Sequence, residues 1–451
     1  MIRRRFAIAA FLVALFVLGW WVGRGRATGR DLYSNVDQFI EVLQRVRSSY
    51  VDQVESDSLM KGALEGLTRG LDPYSQYLDR RSYEDLQATT HGEYGGVGLV
   101  VGIRDELPVV ISPIEGGPAW TLGLQTGDLI VRVEGANTMG LGLEAVAQRL
   151  RGEPGTHVQI SVRREGESDD REFAIERRVI TTRSVPYAFI AAPRIGYVRL
   201  SDFSEDAGGE VRLALDRLHR EGATRLVLDL RGNPGGLLDQ AVDVAEQFVK
   251  AGTPLVSTHG RMKGSDTTHP ATGQRPELAW PMVVLIDRGS ASASEIVAGA
   301  LQDLDRALVI GETSFGKGLV QSVFPLRGGG ALKLTTARYY TPSGRSINSA
   351  ASERLLDSLL ALGDDAVFGD DAPARPVVAD STPAEMFRTA SGRPVYGGGG
   401  IRPDVTVTAD TLRGLARRVE SRGLAFRFAN VWVTRHPEWK FGHPLDDEVR
   451  A

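Results

Sequence analysis

The chain has 451 residues and a formal net charge of −4, from 53 basic and 57 acidic side chains. That balance leaves no strongly basic face for nucleic acid, and a hydrophobic share of 42% excludes wholesale disorder. Cysteine is absent, which removes disulfides, thiol catalysis and cysteine-ligated metals.

Arg3, Arg4 and Arg5 precede an apolar run from Phe6 to Val22. As a helix it would extend about 25 Å at ~1.5 Å per residue, the short end of a membrane span. Trp20 and Trp21 suit a membrane interface, and no small-x-small cleavage site follows at once. The expectation is a membrane anchor, with a cleaved signal peptide as the alternative. From Asp31 to about Leu71 the pattern is helical: Val36, Phe39, Ile40, Leu43 and Val46 recur at spacings of three and four. A second helix is expected over Ser58 to Thr68, broken by Leu71-Asp72-Pro73-Tyr74.

A β-rich unit is expected from about Tyr83 to Ile180. Gly95-Gly96-Val97-Gly98 opens a strand, and Val109 to Ile111, Leu129 to Val133 and Val158 to Val162 read as further strands. Leu143 to Leu150 reads as a short amphipathic helix. The region 95–162 resembles a PDZ domain, with Gly123-Leu124 to Gly127-Asp128-Leu129-Ile130 as its most recognisable stretch. Such a domain adds a peptide to a sheet edge and offers backbone N–H groups to its terminal carboxylate. The resemblance therefore implies that Gly95, Gly96, Val97 and Gly98 bind polypeptide C-termini.

From about Thr181 to Asp410 strands and helices alternate. Ile195 to Leu200, Leu226 to Leu230, Met282 to Ile286 and Ala307 to Ile310 are β-type runs. Glu210 to Arg220, Leu237 to Val249 and Ser294 to Leu304 are helical runs between them. This order predicts α/β layers around a substantially parallel sheet. Ala351 to Ser391 reads as an acidic, proline-bearing insertion, and the tail beyond Leu412 as polar with scattered aromatics.

Three segments carry chemistry. In Asp229-Leu230-Arg231-Gly232-Asn233-Pro234-Gly235-Gly236 a strand runs into a glycine turn before a helix, a place where backbone N–H groups can form part of an oxyanion hole. It lacks the lysine and Ser/Thr of a nucleotide-binding loop. In Gly289-Ser290-Ala291-Ser292-Ala293-Ser294-Glu295 a serine stands at a helix start, though Ser292 with Glu295 also fits a capping box. The residues alone do not choose among Ser290, Ser292 and Ser294. In Gly316-Lys317-Gly318 a lysine lies between glycines, followed by Gln321. A serine hydroxyl needs a base, and none of the seven histidines falls in these segments. A lysine can serve if burial leaves it neutral.

These segments and their order, from about Val36 to Val405, resemble the C-terminal processing peptidases, also called tail-specific proteases. In that family the nucleophilic serine stands 25 positions before the base lysine, as Ser292 does before Lys317. The resemblance thus implies Ser292 and Lys317 as the dyad and Gln321, four after the lysine, as the assisting glutamine. It implies oxyanion donors in the backbone of Gly235 or Gly236 together with Ala293. Leu71-Asp72-Pro73-Tyr74-Ser75, Tyr339-Tyr340-Thr341-Pro342-Ser343-Gly344 and Gly399-Gly400-Ile401-Arg402-Pro403-Asp404 match as well. The family often has histidine where Tyr74 stands, at a position that is not catalytic.

The implied fold is α/β: a crotonase/ClpP-like layered protease core with a helical cap and an inserted β-rich PDZ domain. The expected division is an N-terminal anchor or signal at 1–28, a helical cap at 29–82, a PDZ domain at 83–180, a protease core at 181–410 and a tail at 411–451. The implied activity is serine endopeptidase, acting on extracytoplasmic proteins on the periplasmic side of the inner membrane, without metal or nucleotide cofactor. Expected partners are polypeptide substrates through their C-termini, the membrane through the N-terminal segment, and an adaptor protein or a homo-oligomer. Nucleic acid is not among them. The rivals are a catalytically silent PDZ peptide-binding adaptor and an acyl-CoA hydratase or isomerase of crotonase type.

Overall fold

The computed structural model describes residues 33–104, 106–164, 167–273, 278–349, 385–408, 414–421 and 423–436. The apolar run from Phe6 to Val22, the expected 1–28 segment and residues 351–384 of the expected insertion lie outside these residues. Among the described residues no helix is long and apolar enough to cross a membrane. The chain divides into two compact units between Leu71 and Asp72.

In the first unit, α1 (33–49) carries the expected stripe of Val36, Phe39 and Ile40, all of which remain exposed. Helix α2 (Ser56–Arg69) covers the second expected helix.

The second unit opens on a turn in which the Asp72 carboxylate accepts the N–H groups of Tyr74 and Ser75, each at 2.8 Å. This is an Asx turn, the local bond that lets Asp end a helix-forming stretch. Strand β1 (Gln76–Leu78) follows, then α3 (Arg80–His91). Helix α3 corrects the reading of a β-rich unit from Tyr83. It is set by its ends rather than by an apolar stripe: Asp79 accepts from Ser82 N at 2.9 Å, and Gly92 closes it in the left-handed conformation.

Strands β2 (Glu93–Gly96) to β9 (Arg178–Thr181) build an antiparallel unit. β3 (Leu99–Arg104), β4 (Leu107–Pro113), β5 (Leu129–Val133), β7 (His157–Arg163) and β8 (Arg171–Glu176) form one sheet in that order, with β6 (Ala136–Asn137) on β5. β2 and β9 pair separately. Two helices, α4 (Pro118–Thr121) and α5 (Leu143–Leu150), accompany them, α5 over the expected residues. Alternate side chains of β7 (Val158, Ile160 and Val162) join Val110, Ile130 and Ile175 in a core of their own.

The remaining strands form two larger sheets. In the first, β10 (Tyr187–Ala192), β11 (Ile195–Arg199), β12 (Arg225–Asp229), β15 (Met282–Ile286), β16 (Leu308–Gly311) and β21 (Val405–Thr406) stand in that order. Every pairing from β11 onward is parallel. Near-continuous apolar strands such as β15 suit a sheet covered on both faces. The second sheet is antiparallel: β1 and β13 (Pro254–Gly260) follow each other along one edge of the long β18 (Ala331–Tyr340), and β17 (Leu319–Pro325) runs along the other. β14 (Thr267–Pro270) pairs with β13. This sheet corrects the expectation of one substantially parallel sheet, because its strands are half-exposed and carry only a weak apolar signal.

Helices α6 (Ala207–Arg220), α7 (Leu238–Glu246) and α8 (Ala293–Asp303) supply the crossovers of the parallel sheet, and α7 and α8 also contact β13. All eleven residues of α8 are buried. A small hairpin, β19 (Met386–Arg388) and β20 (Pro394–Tyr396), precedes β21. The tail holds two helices, α9 (Gly414–Ser421) and α10 (Leu424–Arg435), where only a polar segment was expected.

Candidate active site

The glycine turn after β12 is held from below. Asn233 is fully buried; its amide donates to Leu200 O at 3.0 Å and its Oδ1 accepts the Gly235 N–H at 2.8 Å. Gly235 therefore has no N–H left to offer. The N–H groups of Gly236 and Ala293 donate to no other group among the described residues. Gly235 (φ 103°) and Gly236 (φ 150°) occupy backbone conformations that favour glycine. A Cβ on Gly235 would lie 2.8 Å from Ser292 Cβ, so only glycine lets this turn rest against Ser292.

The serine segment separates its three hydroxyls. Ser290 is buried and donates to Leu230 O at 2.8 Å; Ser294 is buried and donates to Asn233 O at 3.0 Å. Both serve the glycine turn. Among the described residues, Ser292 is the one of the three whose hydroxyl donates to no backbone carbonyl. It also has φ 54°, an uncommon conformation for a residue with a side chain, at a cost of about 1–3 kcal/mol. Such strain collects at functional sites.

Glu295, also fully buried, draws the segments together. Its Oε2 accepts the N–H of Ser292 and the N–H of Lys317, each at 2.8 Å. Its Oε1 accepts Ser314 Oγ at 2.5 Å and Gly316 N at 2.7 Å. Burial pushes this carboxyl above the usual carboxylate range, against the four hydrogen bonds, which pull it down. The carboxylate of the capping box is thus also the anchor of the lysine loop.

Lys317 is pushed down to about 8, first by burial and then by the nearby charge of Lys333; Glu295 and Asp72 act in the opposite direction. Its Nζ lies 4.9 Å from the centre of the Tyr74 ring. Tyr339, on β18, is buried and donates its hydroxyl to Lys317 O. Burial raises the Tyr339 hydroxyl well above its ordinary range, with Ser292 among its hydrogen-bonding neighbours. Gln321 stands on β17 opposite Thr335. No hydrogen bond joins it to Lys317 among the described residues, and its amide nitrogen is buried without a partner.

Glu295 entered the sequence reading only as a cap, Tyr74 only as a non-catalytic position and Tyr339 only within a matching motif; Asn233 and Lys333 had no assigned role. The serine–glutamate spacing was the available signal for Glu295. Nothing in the sequence pattern reveals which face of β18 turns toward the lysine.

Three family models match the chain: "Activating protease CtpB N-terminal domain" over residues 24–82, "PDZ domain" over 109–164 and "Peptidase family S41" over 194–352. The carboxy-terminal-processing protease of Bartonella bacilliformis is 40% identical over 322 residues, 70% of this chain and 74% of the relative. The chain belongs to the carboxy-terminal-processing proteases of peptidase family S41. CtpA of Bacillus subtilis is 32% identical over 76% of this chain and 73% of its own, and the enzyme of Picosynechococcus sp. is 40% identical over 61% and 67%.

This carboxy-terminal-processing protease also carries an open groove in its PDZ unit, about 250 Å³ in volume. β3 supplies Leu99 and Val101 to one wall, α5 supplies Leu143, Ala147 and Leu150 to the other, and Gly96, Val97 and Gly98 close one end. Gly95 stands outside the groove: a Cβ there would meet Gly152 O at 2.1 Å, so it serves close packing of the chain. The arrangement offers an edge strand, an apolar trough and a glycine loop, the parts needed to hold an extended peptide by its end.

Proposed function

We propose that the protein is a serine endopeptidase in which Ser292 is the nucleophile and Lys317 the general base. The observation that carries this reading is the convergence of the Ser292 and Lys317 backbone N–H groups on one Glu295 oxygen, beside a glycine turn. Of the three serines, Ser292 alone keeps its hydroxyl clear of a backbone carbonyl. Neutral Lys317 takes the Ser292 proton as Oγ bonds to the scissile carbonyl carbon. The resulting oxyanion is stabilised by the N–H groups of Gly236 and Ala293. Lys317 then gives its proton to the leaving amine as the C–N bond breaks. A water then attacks the ester carbonyl as Lys317 takes its proton; the Oγ–C bond breaks, Lys317 returns the proton to Ser292 Oγ, and the acid product leaves. Gln321 holds the lysine amine once substrate has ordered the site.

On this reading the first unit holds an N-terminal anchor or signal (1–28) and a helical region, β2 to β9 form a PDZ domain, residues 181–410 together with β1 form a layered crotonase/ClpP-like core, and 411–451 is a tail. The PDZ groove takes the C-terminus of a polypeptide, and the upstream chain enters the site. The segment 1–28 places the enzyme outside the cytoplasm, tethered to the inner membrane or exported. Further partners on this reading are an adaptor protein or other copies of the chain in a homo-oligomer. No comparison supports the silent-adaptor reading. Cleavage of an unfolded polypeptide by Ser292→Ala and Lys317→Ala variants tests the assignment: loss is expected in both, and wild-type rates in both would overturn it. Membrane fractionation with and without residues 1–28 tests the location.

A further inference from the structure

The site contains a second lysine that the mechanism does not use. Lys333 lies at the centre of the antiparallel sheet, paired with Gln76 of β1 on one side and Val323 of β17 on the other. Two positions along the strand is Thr335, on the same face. Thr335 donates its hydroxyl to Asp72 Oδ1 at 3.1 Å. That face therefore looks toward the turn that carries Tyr74, whose ring covers Lys317 Nζ.

The nearby carboxylate is engaged by other donors. Asp72 accepts from Tyr74 N, Ser75 N, Ser75 Oγ and Thr335 Oγ1. The Lys333 ammonium has no hydrogen bond or ion pair among the described residues. A half-buried ammonium without a close counter-ion is costly to keep, and it projects its charge onto its neighbours.

We infer that Lys333 is a positioning residue that acts on Lys317 by charge repulsion, helping to keep the Lys317 amine free to accept the serine proton. This rests on the reading of Lys317 as the base. The charged and titratable groups around Lys317 are Glu295 from the α8 end, Asp72 and Tyr74 from the turn before β1, and Lys333 and Tyr339 from β18. Glu295 and Asp72 favour the protonated amine; burial and Lys333 oppose it. Lys333 is itself held below the ordinary lysine range by burial, against the attraction of Asp72. The two lysines share one proton-poor face, and loss of the Lys317 proton relieves both. A second cation beside a catalytic lysine is a general means of leaving it neutral.

The test uses the full chain with Lys333→Met and Lys333→Arg. One readout is the pH profile of kcat/KM on an unstructured fluorogenic polypeptide. The other is competitive acetylation of Lys317 across pH, read by mass spectrometry in a Ser292→Ala background, which needs no catalysis. Lys333→Met should raise both midpoints by about 0.5–1 pH unit and leave the high-pH plateau in place. Lys333→Arg should restore both. Unmoved midpoints with an intact plateau would overturn the proposal, as would a lowered plateau without a moved midpoint. If the acetylation midpoint moves and the rate profile does not, the tuning by Lys333 stands and Lys317 is not the base. If Lys333→Met does not fold, Lys333→Gln carries the same two readings.

Discussion

Helix α8 is closed at each end by a buried carboxylate, Glu295 near its start and Asp303 at its finish. Among the described residues Glu295 faces four hydrogen-bond donors and no cation within ion-pair distance, and it ties the backbone of the Ser292 segment to that of the Lys317 segment. Asp303 faces the fully buried Arg345 at 2.8 Å, which also donates to Gln302 Oε1 and Tyr396 O. That pair fixes the far end of the helix to the loop after β18 and to β20. Equal burial thus has two uses. A carboxylate satisfied by backbone donors sets geometry with atomic accuracy, whereas a buried ion pair fastens one element to another.

The largest expected effect separates chemistry from both. Ser292→Ala or Lys317→Ala should lower the turnover of an unfolded polypeptide by about 10⁴-fold or more, with the melting temperature little changed. At the far end, Arg345→Ala leaves Asp303 buried and unpaired. It should cost about 3–5 kcal/mol in urea unfolding, while the folded fraction keeps its turnover. Glu295→Gln should sharpen the contrast. The amide keeps one acceptor and turns an NH₂ toward backbone donors, costing about 1–3 kcal/mol of stability. Its larger effect should be on kcat, a fall of about tenfold or more with KM nearly constant, because Ser292 and Lys317 lose their common anchor. Equal losses of stability and no kcat difference between Glu295→Gln and Arg345→Ala would erase the distinction.

The pH profile gives a smaller but signed effect. On the proposed mechanism Lys317 works as the neutral amine, and burial with the charge of Lys333 holds it down to about 8. Activity should therefore rise with pH through about 8 and fall about tenfold per unit below it. Smallest is the groove: Ala147→Asp places a charge in its apolar wall and should raise KM about tenfold with kcat unchanged.

Much of this architecture was readable in sequence where periodicity was strong. β15 occupies the residues expected of it, α5 does too, and α6, α7 and α8 differ from expectation only at their ends. What periodicity missed was set by other forces. α3 is fixed by its caps, and β13, β17 and β18 by cross-strand pairing between half-exposed faces. At the site, Ser292 and Lys317 were legible only through family spacing. The physical reason to prefer Ser292, that Ser290 and Ser294 donate to Leu230 and Asn233, needs residues 60 and 61 positions away. The choice of Gly236 over Gly235 turns on Asn233, two positions from Gly235, which takes that N–H while its own amide is held by Leu200 O, 33 positions away. Long-range bonds of this kind leave no local pattern.

The central claim is that Ser292 is activated by neutral Lys317. A fluorophosphonate probe, which modifies activated serines, tests it when the modified residue is located by mass spectrometry across pH in the wild-type chain and in Lys317→Ala. The account predicts modification at Ser292, rising through about pH 8 and lost in Lys317→Ala. Modification at Ser290 or Ser294, or undiminished modification of Ser292 without Lys317, would contradict it.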